Sequence, residues 1–115
     1  MKCILVIDDD LSVRELLERY LSKLGYHVIV AKDGKDGINL FRVGCNVDVV
    51  ITDVEMPIMD GNVVANFIRT SKTPQIPILA ITGACDSLDK EHLFNMVLSK
   101  PFALKSLGAA VASYL

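Results

Sequence analysis

Short aliphatic runs alternate with amphipathic stretches five times along this chain, and few folds accept that pattern. The runs fall at residues 3–7, 27–31, 47–52, 77–82 and 96–99. They are rich in Val, Ile and Leu and mostly apolar on both faces, as strands are when helices cover each side of their sheet. In the first intervening stretch, Val13, Leu16, Leu17, Tyr20, Leu21 and Leu24 make an apolar stripe opposite Arg14, Glu15, Glu18 and Arg19. Gly25 stands where that helix stops. A second helix follows Asp33 and ends at Gly44, weakened by Gly34 and Gly37. A third follows Asp60, with Val63, Val64, Phe67 and Ile68 facing inward. The last spans residues 103–114, led by Leu104, Leu107, Val111 and Tyr114. Asp10, Asp33 and Asp60 each stand at an N-cap. Residues 86–95 read as a helix of only about two turns, short or irregular. βα units in this order predict a parallel sheet with right-handed crossovers.

A length of 115 residues fits one domain, residues 1–115. A net charge of -2, with basic residues scattered along the chain, gives no reason to expect direct nucleic-acid binding. Cys3, Cys45 and Cys85 are odd in number and lack metal-type spacing, which points to reduced, mostly buried thiols. The first apolar run is too short for a signal peptide and ends in acids, and no stretch reaches membrane-spanning length. The expectation is a soluble cytoplasmic protein with no membrane partner. His27 and His92 have no ligand spacing for a transition metal.

The chemistry gathers where strands end. Asp53 closes the third strand, Asp8 and Asp9 follow the first, and Thr82 and Lys100 close the fourth and fifth. In an open α/β sheet these ends form the ligand-binding rim. Carboxylates crowded together repel one another unless a cation joins them. Mg2+ suits such a set, because it takes hard oxygen ligands, keeps several waters and shares them with phosphate. Asp10 reads instead as the cap of the first helix. A carboxylate can attack phosphorus, and phosphoryl transfer needs little beyond positioning and charge neutralisation. Lys100 and Thr82 offer an ammonium and a hydroxyl for the phosphoryl oxygens.

Four segments carry a resemblance. They are Val-Ile-Asp8-Asp9-Asp, Val-Ile-Thr-Asp53-Val-Glu-Met-Pro-Ile-Met-Asp-Gly, Leu-Ala-Ile-Thr82-Gly and Leu-Ser-Lys100-Pro-Phe. In this order and at these separations the chain resembles a response-regulator receiver domain of two-component signalling. The resemblance implies a flavodoxin-like three-layer sandwich whose five parallel strands run in the order 2-1-3-4-5. It implies Asp53 as the phospho-acceptor, charged by a sensor histidine kinase or a phosphotransfer protein. Asp8, Asp9, Asp53 and the backbone carbonyl of Glu55 would hold Mg2+, and Thr82 and Lys100 would contact the phosphoryl group. It also implies a cis Lys100–Pro101 peptide, a downstream protein target, and a signalling phospho-acceptor in place of an enzyme.

The chain departs from the family pattern in two places. Residues 83–99 are fewer than usual between Thr82 and Lys100, and Val97 stands where an aromatic often moves with the threonine. Any switch is therefore expected to rest on ordering of residues 83–95. Glu55 and Ala84 occupy positions that tune acylphosphate lifetime in the family. Three other readings compete. A phosphorylation-independent binding module could use the same fold. A haloacid-dehalogenase-type phosphohydrolase would use Asp8 as nucleophile and Asp10 as general acid, leaving Asp53 without a role. A flavodoxin would need a phosphate loop where residues 8–11 are acidic.

Overall fold

Parallel pairing brings together runs that are far apart in sequence, and in this chain it does so four times. The structure is a computed structural model and describes residues 1–43, 46–83 and 93–115. The strands are β1 (Cys3–Ile7), β2 (His27–Ala31), β3 (Val49–Asp53), β4 (Ile78–Thr82) and β5 (Met96–Ser99). All neighbours pair in parallel, in the order β2-β1-β3-β4-β5. The helices among the described residues are α1 (Leu11–Lys23), α2 (Gly34–Arg42), α3 (Gly61–Arg69) and α4 (Leu104–Tyr114). The expected flavodoxin-like order is thus present. The short helix expected over residues 86–95 falls mostly on residues 84–92, outside the described residues, though Leu93 and Phe94 at its end are buried.

Alternation along each strand divides the core in two. Leu5, Ile7, Val50, Ile78 and Ala80 meet Ile38 and Phe41 of α2 and Val64 and Ile68 of α3. Ile4, Val6, Ile51, Leu79 and Ile81 meet Leu17 and Leu21 of α1 and Leu107 and Val111 of α4. β1, β3 and β4 are buried along their whole length, so their apolar runs are continuous. The edge strands β2 and β5 are only partly covered.

Asp10, Asp33 and Asp60 cap α1, α2 and α3 as expected, each accepting from amides of the first turn. α1 ends in a Schellman turn. Gly25 at φ 98° donates to the Ser22 carbonyl, and Tyr26 donates to that of Leu21. Three expectations need correction. Leu16, Leu24 and Val63 are largely exposed, because a helix laid on a sheet buries a narrower stripe than its apolar sequence suggests. β3 starts at Val49, not residue 47, because Asp48 turns to exchange bonds with Cys3: its amide donates to the Cys3 carbonyl, and its carboxylate accepts from the Cys3 amide. α2 ends at Arg42 with Val43 as its cap, before Gly44, which lies outside the described residues. Cys3 is buried, whereas Cys45, Cys85 and His92 lie outside the described residues. His27 opens β2 and is exposed. No helix among the described residues is long and apolar enough to cross a membrane.

Candidate functional site

The chain leaves β1 for β2 on one side and returns to β3 on the other, so the ends of β1 and β3 flank the switch point of the sheet. Asp8 comes directly after β1, and Asp53 is the last residue of β3. Asp8 is 1% exposed and Asp53 3% exposed. Their carboxylates and that of exposed Asp9 each offer an oxygen within 4.8 Å of the others.

Local structure holds these acids in place. The Asp8 amide donates to the Ala31 carbonyl at 3.2 Å, which carries the β1–β2 pairing one residue past the strand. Arg14 of α1 reaches back to the Asp8 carbonyl at 2.8 Å. Asp8 Oδ1 accepts from the Asp10 amide at 2.9 Å. Beyond Asp53, the Val54 amide donates to the Ile81 carbonyl. The chain then loops through Pro57 and Ile58, whose φ of 69° is an outlying conformation for a β-branched residue. Buried Met56 anchors this loop, and the Gly61 amide closes it on the Val54 carbonyl at 2.9 Å. A Cβ at position 61 would stand 2.6 Å from the Asp53 carbonyl oxygen, so only glycine lets α3 begin this close to the site.

Asp8 Oδ2 and Asp53 Oδ1 are buried without a hydrogen bond. Lys100 Nζ lies 3.3 Å from Asp53 Oδ1, an ion pair. The Lys100–Pro101 peptide is cis, as the resemblance implies. Burial, reinforced by the charge of Asp8, pushes the Asp53 carboxyl up to about 6. Burial also raises the Asp8 carboxyl. For Lys100, burial favours the neutral amine, but the charges of Asp53 and Asp8 outweigh it and the ammonium is strengthened. Buried, mutually repelling carboxylates with orphaned oxygens fit a hard divalent cation, which would take up both oxygens and offset both charges. Tightly shared acids beside a single lysine suit binding a cation and a phosphoryl group together.

The sequence-predicted residues therefore converge in part. Asp8, Asp9, Asp53 and Lys100 meet at one rim. Thr82 ends β4 one residue beyond Ile81, the partner of Asp53 in the sheet. Its carbonyl accepts from the Lys100 amide at 2.8 Å. Asp10 stays apart, with Oδ1 accepting from the amides of Ser12 and Val13. It is not poised as the general acid a phosphohydrolase would need. Sequence reasoning placed Glu55 beside the site but missed what its side chain holds. Its Oε2 accepts from the Thr82 hydroxyl at 2.5 Å, and its Oε1 accepts from the Gly83 amide at 2.9 Å. The only sequence signal for this link is an acid two residues after a strand-ending acid.

Residues 4–112 match the family model described as "Response regulator receiver domain". Over 116 residues the chain is 38% identical to a probable transcriptional regulator ycf27 of Guillardia theta, covering 97% of this chain and 44% of that protein. It is 41% identical over 118 residues to response regulator MprA of Mycolicibacterium vanbaalenii, covering 97% of this chain and 49% of that protein. The chain thus spans about half the length of the curated relatives it matches. Among solved structures it is similar to response regulator TrrA of Thermotoga maritima, crystallised in complex with Mg(2+)-BeF. That likeness has a TM-score of 0.90 and 33% identity over 100% of both chains. Chemotaxis protein CheY4 of Vibrio cholerae gives a TM-score of 0.90 and 28% identity, covering 100% of this chain and 99% of that one. With the fold, the converging acids and these matches in agreement, the chain belongs to the response regulator receiver domain family of two-component systems.

Proposed function

We propose that residues 1–115 act as one receiver domain in which Asp53 accepts a phosphoryl group from a sensor histidine kinase or a phosphotransfer protein. Asp8, Asp9, Asp53 and the Glu55 carbonyl would hold Mg2+, and the resulting acylphosphate would switch a protein-binding surface. One observation carries this reading: Asp8 Oδ2 and Asp53 Oδ1 are buried without hydrogen bonds among three acids that offer oxygens within 4.8 Å. Such an arrangement is costly unless another group completes it.

The chemistry follows from these residues. Asp53, raised to about 6, is mostly ionised at neutral pH and so has a lone pair for phosphorus. Its oxygen forms the new P–O bond as the donor's P–N bond breaks, and the donor imidazole leaves with that electron pair. Mg2+, when bound, would offset charge on the phosphoryl oxygens. Lys100, already 3.3 Å from Asp53, would meet the same charge from another side. Thr82 supplies a hydroxyl to a phosphoryl oxygen. The domain serves as an acceptor in signalling and turns over no separate substrate. We place it in the cytoplasm, where kinase and cation are at hand. The relatives' names as transcriptional regulators point to DNA as the eventual target of the pathway. With net charge -2 the domain itself works through a protein partner.

Treatment with acetyl phosphate, with and without Mg2+, tests this reading by mass spectrometry of the intact chain and its peptides. One added phosphoryl group is expected on Asp53, dependent on Mg2+ and absent from Asp53→Asn. Label on Asp8 would favour the phosphohydrolase reading. No label at all would favour a phosphorylation-independent binding module.

A further inference from the structure

We propose that the Glu55 side chain is a built-in rival of the phosphoryl group, and that it sets how readily this domain takes up phosphate. The inference rests on Asp53 as phospho-acceptor. A carboxylate gripped by the Thr82 hydroxyl and the next backbone amide, at 2.5 and 2.9 Å, is bound as a small oxyanion would be. Both donors stand at the end of β4, just past the residue that pairs with Asp53. A phosphoryl group on Asp53 would bring oxygens to this rim that need the same donors. Glu55 therefore fills in advance a place that the product requires.

The exchange has a physical driver. Glu55 is exposed, so its carboxylate can pass to water with little desolvation penalty. Phosphorylation replaces the single charge of the Asp53 carboxylate with a phosphoryl group carrying about -1.5 to -2, closer to Thr82 and Gly83, and like charges repel. Expelling Glu55 hands Thr82 and Gly83 to the phosphoryl oxygens. Because the Thr82 carbonyl accepts from the Lys100 amide, movement of Thr82 is felt at the end of β5. Glu55 is thus a positioning residue: it acts through Thr82 and Gly83 and weights the resting arrangement against the phosphorylated one. Glutamine would grip the same two groups only through neutral bonds, about half as strong as the charge-assisted ones the carboxylate makes.

Calorimetric titration with beryllium fluoride at saturating Mg2+ tests this on the intact chain. Glu55→Gln should bind about tenfold more tightly than the native protein, the worth of one charge-assisted hydrogen bond no longer competed for. In a Thr82→Ala background the gain from Glu55→Gln should fall by more than half. In the ligand-free protein, Gly83 amide exchange should be faster in Glu55→Gln, at an unchanged melting temperature. If native protein binds beryllium fluoride and Glu55→Gln binds it no tighter, the rivalry is refuted and the acceptor reading stands. An equal gain in both backgrounds would reduce the effect to net charge and refute the rivalry too. Absence of binding to every variant would bring down both readings.

Discussion

At the amino-terminal edge of the sheet Arg69 commits its guanidinium to the carbonyls of Leu93, Pro74 and Ile76 and to Asn95 Oδ1, at 2.6 to 3.1 Å. Asn95 in turn bonds Ile78 through both its side chain and its amide, at 2.8 Å each, and its carbonyl accepts from the Tyr114 hydroxyl. At the carboxyl edge, by contrast, Asp8 and Asp53 each keep a buried oxygen with no hydrogen bond. The same sheet thus closes one rim with matched donors and acceptors and leaves the other short of positive charge. Matched polar groups stabilise, whereas unmatched buried ones cost stability and persist where a ligand completes them. The amino-terminal edge holds the fold, and the carboxyl edge holds the chemistry.

Breaking the matched edge should have the largest effect. Arg69→Ala strands two partly buried carbonyls and unties the end of α3 from the start of β4 and β5. A loss of about 3 to 4 kcal/mol is expected in urea denaturation. Phosphate uptake per folded molecule should stay native. If uptake fell in step with stability, the two edges would not be separate in function.

Gly61→Ala tests how closely the fold must approach the unmatched edge. The added methyl meets the Asp53 carbonyl at 2.6 Å and Val54 Cα at 2.9 Å, and both are backbone that cannot swing aside. We expect a loss of about 2 to 3 kcal/mol, since overpacking against rigid atoms falls in that range. Unlike Arg69→Ala, it should also weaken Mg2+ binding by displacing Asp53. Unchanged cation affinity in a destabilised variant would show that the approach of α3 serves packing alone.

Asp53→Asn should move stability the other way. The Asp53 carboxyl is raised in the folded protein to about 6, from an ordinary value of about 4. A folded-state value above the unfolded one means that the folded protein holds the proton more firmly. The stability this confers is complete below about pH 4 and is lost as pH rises through 6. At pH 7 without cation, ionised Asp53 therefore costs about 3 kcal/mol, a net figure in which the attraction of Lys100 is already counted, and the neutral amide should recover about 2 to 3 of these. Native protein should gain stability from pH 7 to pH 4, and Asp53→Asn should gain less. Denaturation with EDTA at the two pH values checks this. An Asp53→Asn protein less stable than native at pH 7 would mean that the rim is not under strain.

The same contrast explains what could be read from the chain before its fold was known. The strands were legible because β1, β3 and β4 are buried on both faces and so appear as unbroken aliphatic runs. The caps were legible because Asp10, Asp33 and Asp60 bond amides within three residues of themselves. The acids at strand ends were legible because the sheet has one functional rim and parallel strands all end there. The bonds of Arg69 and of the Glu55 side chain were not, although each organises an edge. Both Glu55 partners, Thr82 and Gly83, and two of those of Arg69, Leu93 and Asn95, lie 24 to 28 positions away, and neither hydrophobic period nor turn chemistry marks such pairs. Leu16, Leu24 and Val63 were misjudged because an apolar stripe says which side of a helix faces in, and the sheet decides how much of it is covered.

The smallest expected effect isolates the one acid at the functional rim that belongs, by its bonds, with the matched groups. Asp10 follows Asp8 and Asp9 directly, yet its Oδ1 accepts from the Ser12 amide at 2.8 Å and the Val13 amide at 3.3 Å. Those are two of the donors that the first turn of α1 leaves open. Asp10→Ala should therefore cost about 1 kcal/mol, the usual worth of an N-cap, and Asp10→Ser should restore most of it. Since the Asp10 backbone amide still reaches Asp8 Oδ1 in either variant, Mg2+ affinity should change less than threefold on the scale of a distant surface charge. A tenfold loss of affinity in Asp10→Ser would move this residue from the helix to the cation site. It would also blur the line between acids that are matched and acids that are waiting for a ligand.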